Sequence, residues 1–297
     1  MIPTYNCASL LAVCLESVLA QDPGEGTMEI VVIDDHSEGD DPRAVVEEIG
    51  GGRVSFVAHD SNLGAVATFN DCIRRSHGEL VHILHGDDFV IDGFYEEINR
   101  LSAAWPSAGL YATTFATVDR EGRPLARGRT VSSTTVLDVF DSGNPFQFCS
   151  TVVRRTAYER FGGFAHRLIH MADFEMWVRV SARSGFAVSP EVLAAYRTFD
   201  QQHSAGLRRT ASNLVDHEQA LVLLAQHGDL PVTDRHLRHL RSVARHQVDT
   251  FGRMGDAAAE RANLRYWIAR ATPVERLRRH LGRLRRSAMA NRLRHQR

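Results

Sequence analysis

Residues 29–37 read EIVVIDDHS: a short β-branched run, Glu29 to Asp34, that stops at two adjacent acids. Such a run bounded by polar turn residues reads as a strand. Two more follow, RVSFVAH (Arg53 to His59) and LVHILH (Leu80 to His85). Helical patterns lie between and before them. Leu10, Leu11, Cys14, Leu15, Val18 and Leu19 recur at helical spacing, with Asn6 as the expected N-cap. DPRAVVEEI opens on Asp41 as cap and Pro42 at the first helical position, and ATFNDCIRR gives a third helix. Strands alternating with helices of this length predict a parallel sheet covered on both faces. Ligands of such sheets bind at the carboxyl ends of the strands. Three polar clusters fall there: Thr4-Tyr5-Asn6, Asp34-Asp35-His36-Ser37 and His85-Gly86-Asp87-Asp88.

Beyond residue 105 the pattern changes. GLYATTFATVDREGRPLARG reads as a strand, a turn at Glu121-Gly122 and a return strand. FCSTVVRR is strand-like, MADFEMWVRVSARSG is helical, and AVSPEVLAAYRTF is extended. From about Leu207 the pattern is helical, over 208–227, 233–249, 256–270 and 273–295. The first strand has only two or three residues before its turn, fewer than the five or so usual for a central strand, so the reading expects a missing upstream piece.

With 297 residues and a net charge of −1, the chain is an ordinary globular protein with no global charge favouring nucleic acid. Cys7, Cys14, Cys72 and Cys149 show neither CxxC spacing nor a His/Cys cluster, so reduced thiols in a cytoplasmic protein are expected.

Paired carboxylates at a strand end repel each other unless a cation sits between them. Mg²⁺ or Mn²⁺ takes oxygen ligands and binds through one or two carboxylates plus substrate phosphates. Asp87 and Asp88 therefore suit a metal with a diphosphate, and Asp34-Asp35 could accept hydrogen bonds from a base and ribose. For either pair alone, an Asp-rich turn capping the next helix is the plainer alternative. Two pairs on one edge favour a nucleotide-diphosphate site.

The ordered stretches PTYN (Pro3 to Asn6), ESVLAQ (Glu16 to Gln21), EIVVIDDHS, NLGAVATFNDCI (Asn62 to Ile73), HGELVHILHGDD (His77 to Asp88), GGF (Gly162 to Phe164) and DFEMWVR (Asp173 to Arg179) resemble glycosyltransferase family 2, inverting enzymes with a GT-A fold. The resemblance covers about residues 1–205. It implies an α/β fold, a Rossmann-like mixed sheet flanked by helices, with 206–297 as a helical extension. It further implies that Pro3, Tyr5, Asp34 and Asp35 frame the base and ribose of a nucleotide-diphosphate sugar. Asn62 and Gly64 would form the family's Asn-x-Gly turn, with Asn70 near the nucleotide. Asp87 and Asp88 would hold Mg²⁺ or Mn²⁺, and Asp173 would be the catalytic base. His203 is implied as a phosphate contact. Two positions depart from the pattern. His85 stands where the family's Asp-x-Asp motif has its first Asp, leaving His85 for ribose or phosphate, and Ala172 stands where a Glu often precedes the base.

Residues 271–297 hold nine arginines against one glutamate, with Leu277, Leu281, Leu284, Met289 and Leu293 as an apolar stripe. A basic amphipathic helix of this kind suits peripheral contact with a membrane and a glycan or lipid-linked acceptor. No aromatic residue interleaves with these charges, which speaks against nucleic acid. The expected activity is sugar transfer with inversion in bacterial surface polysaccharide or glycolipid synthesis. Transfer to a polyprenyl phosphate, or a catalytically degenerate nucleotide-binding relative, are the alternatives.

Overall fold

A computed structural model describes residues 1–272, apart from 25, 132–134, 142 and 200–202, and gives only the backbone at 203 and 204. The side chain of His203 and the arginine-rich segment from 273 onward lie outside the described residues.

Strands β1 (Ile2–Thr4), β2 (Ile30–Asp34) and β3 (Val54–Ala58) pair in parallel in the order 1-2-3, with Thr4 opposite Asp34 and Asp34 opposite Ala58. Helices α1 (Ala8–Leu19), α2 (Pro42–Ile49) and α3 (Ala65–Arg75) connect and follow them. A second sheet contains β4 (Leu80–His82), β5 (Phe89–Val90), β6 (Leu110–Val118), β7 (Pro124–Arg127), β8 (Thr151–Arg154) and β9 (Phe186–Arg197). Its order is 4-8-6-9-5, with β7 paired to β6. The central β6–β9 pair is parallel and the other ladders are antiparallel.

The two sheets meet at β1. The Met1 amine donates to the His82 carbonyl, Leu84 N–H to Met1 and Gly86 N–H to Pro3. The chain from His82 to Gly86 thus continues alongside β1 beyond the end of β4, and the expected strand through His85 is met by these bonds. All three polar clusters consequently lie on one edge.

The predicted face of α1 packs inward. Leu10, Leu11, Cys14, Leu15 and Val18 are buried, the last four in one core with Ile2, Ile30 and Val32. Each such side chain contributes about 1.5–3 kcal/mol by leaving water. Asp41 caps α2 through Ala44 N–H, as predicted. Asn6 does not cap α1. Its backbone is left-handed, with φ 49°, and its side chain accepts from Glu38 and Gly39 N–H. Asp40, thirty-two residues on, takes the Ala8 amide instead, at 2.6 Å.

The remaining helices are α4 (Phe94–Ala104), α5 (Val136–Phe140), α6 (Arg155–Phe161), α7 (Ala172–Ser184), α8 (His203–Thr210), α9 (Ser212–His227), α10 (Asp234–Met254) and α11 (Ala257–Arg270). Among the described residues, those up to 199 with 216–233 form one compact unit, and 203–215 with 234–272 another. Within the second, α10 and α8 both pack on α11, Asp256 caps α11 and pairs with Arg209, and Asn263 holds the Arg208 carbonyl. All four cysteines are free thiols.

Candidate active site

The first station is the turn after β2. Asp34 accepts from Ser37, whose hydroxyl donates at 2.6 Å. Asp35 is buried, and both its oxygens are engaged by protein groups: Oδ1 by Leu63 N–H at 2.8 Å and a ring nitrogen of His59 at 2.9 Å, Oδ2 by Gly64 N–H at 2.9 Å. Asn62 donates to the Asp35 carbonyl and accepts from Gly64 N–H. Gly64 has φ 86°, a left-handed conformation costly for a side-chain-bearing residue, and it caps α3. Asp35 thus builds the Asn62–Gly64 turn. Asp34, also buried, is held by Ser37, and Tyr5 is exposed at the same edge. Pro3 is buried in β1, where its carbonyl holds the Gly86 amide.

His59 bridges two carboxylates, with its other ring nitrogen 3.0 Å from Asp71, which also pairs with Arg74 and Arg75. Burial lowers the imidazole pKa, but the Asp35 and Asp71 bonds outweigh it and the net shift is upward. Nothing in RVSFVAH marks this residue among fifteen histidines.

Asn70 does not face the nucleotide turn alone. Its amide donates to the Phe164 carbonyl at 3.0 Å, and its oxygen accepts from Phe164 N–H at 2.8 Å. It clamps the Gly162–Phe164 loop to α3.

The second station is His85-Gly86-Asp87-Asp88. A ring nitrogen of His85 and carboxylate oxygens of Asp87 and Asp88 lie within 4.8 Å of one another. The Gly86 backbone passes so close to β1 that a Cβ would meet Thr4 Oγ1 at 3.1 Å and Cys7 Sγ at 3.3 Å. Asp88 is fully buried, and its Oδ1 accepts from Arg197 N–H at 2.8 Å. The Arg197 guanidinium donates to the Asp87 carbonyl and stacks over Phe89. Burial, then the Asp87 charge, pushes the Asp88 carboxyl well above the usual range, against the pull of Arg197. Burial pulls the His85 imidazole down.

This donor set fits a divalent cation. Asp88 Oδ2 and His85 Nε2 are buried with no hydrogen-bond partner among the described residues. Buried polar atoms are ordinarily paired, so two orphans in one cluster point to a missing positive partner. A cation would offset both the burial cost and the Asp87 repulsion that now drive Asp88 toward protonation.

The third station heads α7. Asp173 Oδ1 accepts from Phe174 N–H at 2.7 Å, and Oδ2 accepts from the Asn144 side chain at 2.8 Å. Burial raises its pKa to about 7; the nearby Asp216 adds to this, while the two hydrogen bonds oppose it. Asp216 accepts the N–H groups of Ile169, His170 and Met171 at 3.2, 2.7 and 2.7 Å, fixing the loop that leads into Asp173. Glu175 does not substitute for the acid absent at Ala172, because it forms a two-pronged buried pair with Arg179. Neither Asn144 nor Asp216 was legible in the sequence.

An aromatic wall joins the second station to α7. His85 stacks on Phe69 at 5.0 Å and 13°, and touches Phe148 at 4.4 Å. Phe148 in turn meets Trp177, one turn beyond Asp173, at 5.4 Å.

The family model for glycosyl transferase family 2 matches residues 1–161. An uncharacterized protein of Mycobacterium tuberculosis (strain CDC 1551 / Oshkosh) is 25% identical over 240 residues, 75% of this chain and 74% of its own length. Succinoglycan biosynthesis protein ExoO of Rhizobium meliloti (strain 1021) is 35% identical over 127 residues, 42% of this chain and 35% of that protein. Among solved structures, TarS 1-349 of S. aureus in complex with UDP-GlcNAc superposes with a TM-score of 0.62 at 15% identity, covering 82% of this chain and 70% of that one. Mannosyltransferase PcManGT from Pyrobaculum calidifontis, in complex with GDP-Man and Mn²⁺, gives 0.59 at 19% identity, covering 93% and 81%. At these identities the likeness is one of fold, and the fold is of the GT-A type.

Proposed function

The chain belongs to glycosyltransferase family 2, and on that premise we propose that it moves a sugar from a nucleotide-diphosphate donor to an acceptor hydroxyl with inversion. What carries the reading is the pair of carboxylate stations: a raised-pKa acid at the head of α7 and a metal-fitting cluster on the strand edge, joined by one aromatic wall.

In this reading Asp173, once ionised, takes the acceptor hydroxyl's proton as the oxygen attacks the anomeric carbon, and the nucleoside diphosphate leaves from the opposite face. Asp216 and Asn144 hold the carboxylate in place. Asp87 and Asp88 would hold Mg²⁺ or Mn²⁺, which would supply positive charge against the developing diphosphate. Asp34 and Tyr5 border the base and ribose, with Asp35 shaping the Asn62–Gly64 turn beside them. Residues 1–205 would carry the reaction, with 206–297 as a helical extension that lends Asp216 to the catalytic loop.

The polysaccharide-synthesis name of the succinoglycan relative supports a role in bacterial surface glycan or glycolipid synthesis. Among the described residues no helix is long and apolar enough to cross a membrane. A cytoplasmic enzyme meeting its acceptor at the inner membrane face, through the basic residues 271–297, is part of the same proposal.

Calorimetric titration of UDP, GDP and dTDP, with and without Mn²⁺, tests it. One nucleotide should bind in a metal-dependent manner, and Asp87→Asn should weaken that binding at least about tenfold, as loss of a metal's supporting groups commonly does. Metal-independent binding, unchanged in the variant, would remove the cluster from the donor site.

The raised pKa of Asp173 sets the pH dependence. A base must be ionised, so kcat/KM should climb as pH rises and reach half its plateau near pH 7. Stability runs the other way. The folded state holds a proton that the unfolded chain releases near its ordinary carboxylate pKa, so Asp173 costs stability progressively between about pH 4 and pH 7. Melting temperatures of wild type and Asp173→Asn should therefore diverge over that window in the variant's favour. Parallel curves would show that the carboxyl is not held protonated.

A further inference from the structure

We propose that His85 is itself a metal ligand, so that the cation is bound by one nitrogen and two carboxylate oxygens and Mn²⁺ is favoured over Mg²⁺. The inference rests on the metal-dependent transferase reading and adds to it the identity of the third ligand and of the ion.

The geometry is particular to this chain. An imidazole nitrogen lies within 4.8 Å of oxygens from both Asp87 and Asp88. Among the described residues the ring is held by aromatic contacts: Phe69 stacks on it almost parallel, and Phe148 presses on it at 4.4 Å. His85 Nε2 is buried and, like Asp88 Oδ2, meets no partner among the described residues. An imidazole kept only for packing would leave a buried nitrogen unsatisfied for no return, since a phenyl ring would fill the same slot without that cost. A ring positioned by stacking keeps its nitrogen lone pair available, and its orientation is set before the ion arrives.

The donor chemistry then selects the ion. Mg²⁺ is a hard cation that takes oxygen and retains its waters. A nitrogen donor is a poor match for it, whereas the divalent first-row transition metals take nitrogen more readily, Mn²⁺ being the weakest binder of that series. A site with His85 in place of a third acid therefore favours Mn²⁺ over Mg²⁺.

The test uses the full chain with Mn²⁺ and, in turn, UDP, GDP or dTDP. Pulsed EPR of the bound Mn²⁺ should show coupling to a directly bound imidazole nitrogen, and the coupling should change isotope pattern when the protein carries ¹⁵N-histidine. Calorimetry should show Mn²⁺ binding more tightly than Mg²⁺, and His85→Asp should narrow that preference by at least about tenfold, the scale on which even outer-shell changes alter metal affinity. The wild-type spectrum needs no variant to fold. Mn²⁺ bound with no nitrogen coupling would overturn the assignment of His85 while leaving the transferase reading intact. No Mn²⁺ binding with any of the three nucleotides would overturn both.

Discussion

Asp173→Asn is expected to lower kcat by about 10²–10⁴, the usual worth of a positioned general base, while metal-dependent nucleotide binding stays at the wild-type level. The substitution is nearly isosteric, so the oxygen that accepts the Phe174 amide is retained. Asn144 can still bond the new amide, because its own side chain offers both donor and acceptor. The negative charge opposite Asp216 disappears, so the fold loses a repulsion rather than an anchor. A fall in rate could not then be blamed on unfolding, and a melting curve at pH 8 checks this directly. The rate is read as nucleoside diphosphate released from whichever donor the titration identifies. Asp216→Asn gives a companion result. Three backbone amides lose their anionic acceptor, so kcat should fall, but the residual activity should keep a pH profile governed by Asp173. A wild-type rate in Asp173→Asn would remove this residue from the chemistry and leave the chain a nucleotide-binding relative.

The sheet edge was legible because two sequence periods and one topological rule suffice for it. β-branched runs that end in acids give the strands, helical stripes give the crossovers, and parallel connection puts every strand's carboxyl end on the same side. That logic brought Thr4, Asp34 and the His85–Asp88 loop together, as the ladders and the bonds from Met1 and Pro3 to residues 82–86 confirm. It could not say which carboxylate the neighbouring Asn62–Gly64 turn engages. Asp34 and Asp35 look equivalent in the sequence, yet alternation along the chain sends Asp35 into the Leu63 and Gly64 amides. Asn6 looked like a cap because local rules know only local acceptors, and Asp40 lies thirty-two residues from the Ala8 amide it accepts. Nothing in the short motif around Asn70 shows that its side chain also holds both backbone groups of Phe164, ninety-four residues on. His59, Asn144 and Asp216 escaped notice for the same reason. Each acts through a long-range partner set by loop conformation, and residue type alone carries no trace of that.

Glu175→Ala is expected to cost about 3–5 kcal/mol of folding stability, the range for breaking a buried ion pair from one side. Glu175 and Arg179 are 3% and 6% exposed, and the guanidinium donates to both carboxylate oxygens, at 2.8 and 2.9 Å. An exposed pair at the same helical spacing would be worth only about 0.3–0.5 kcal/mol. Burial makes the difference, because removing Glu175 strands a cation that cannot shed its proton. Arg179 would still donate to the carbonyls of Phe161, Gly162 and Gly163, but dipoles do not neutralise its charge. That loop is gripped from two sides, by Arg179 at its carbonyls and by Asn70 at Phe164, and a Cβ on Gly163 would collide with the Asn70 oxygen. Phe164 meets Trp177 at 5.8 Å and Phe69 at 5.7 Å, so the grip reaches the ring against which His85 stacks. The loss should therefore appear twice: as a lower denaturant midpoint with an unchanged m-value, and as weaker Mn²⁺-dependent nucleotide binding at temperatures where the variant is folded. Replacing both partners together, Glu175→Leu with Arg179→Met, should restore most of the stability, because no charge is then left unpaired. A single-variant loss below about 1 kcal/mol, the level of a surface pair, would mean that water reaches the guanidinium and that the loop owes its position to Asn70 alone.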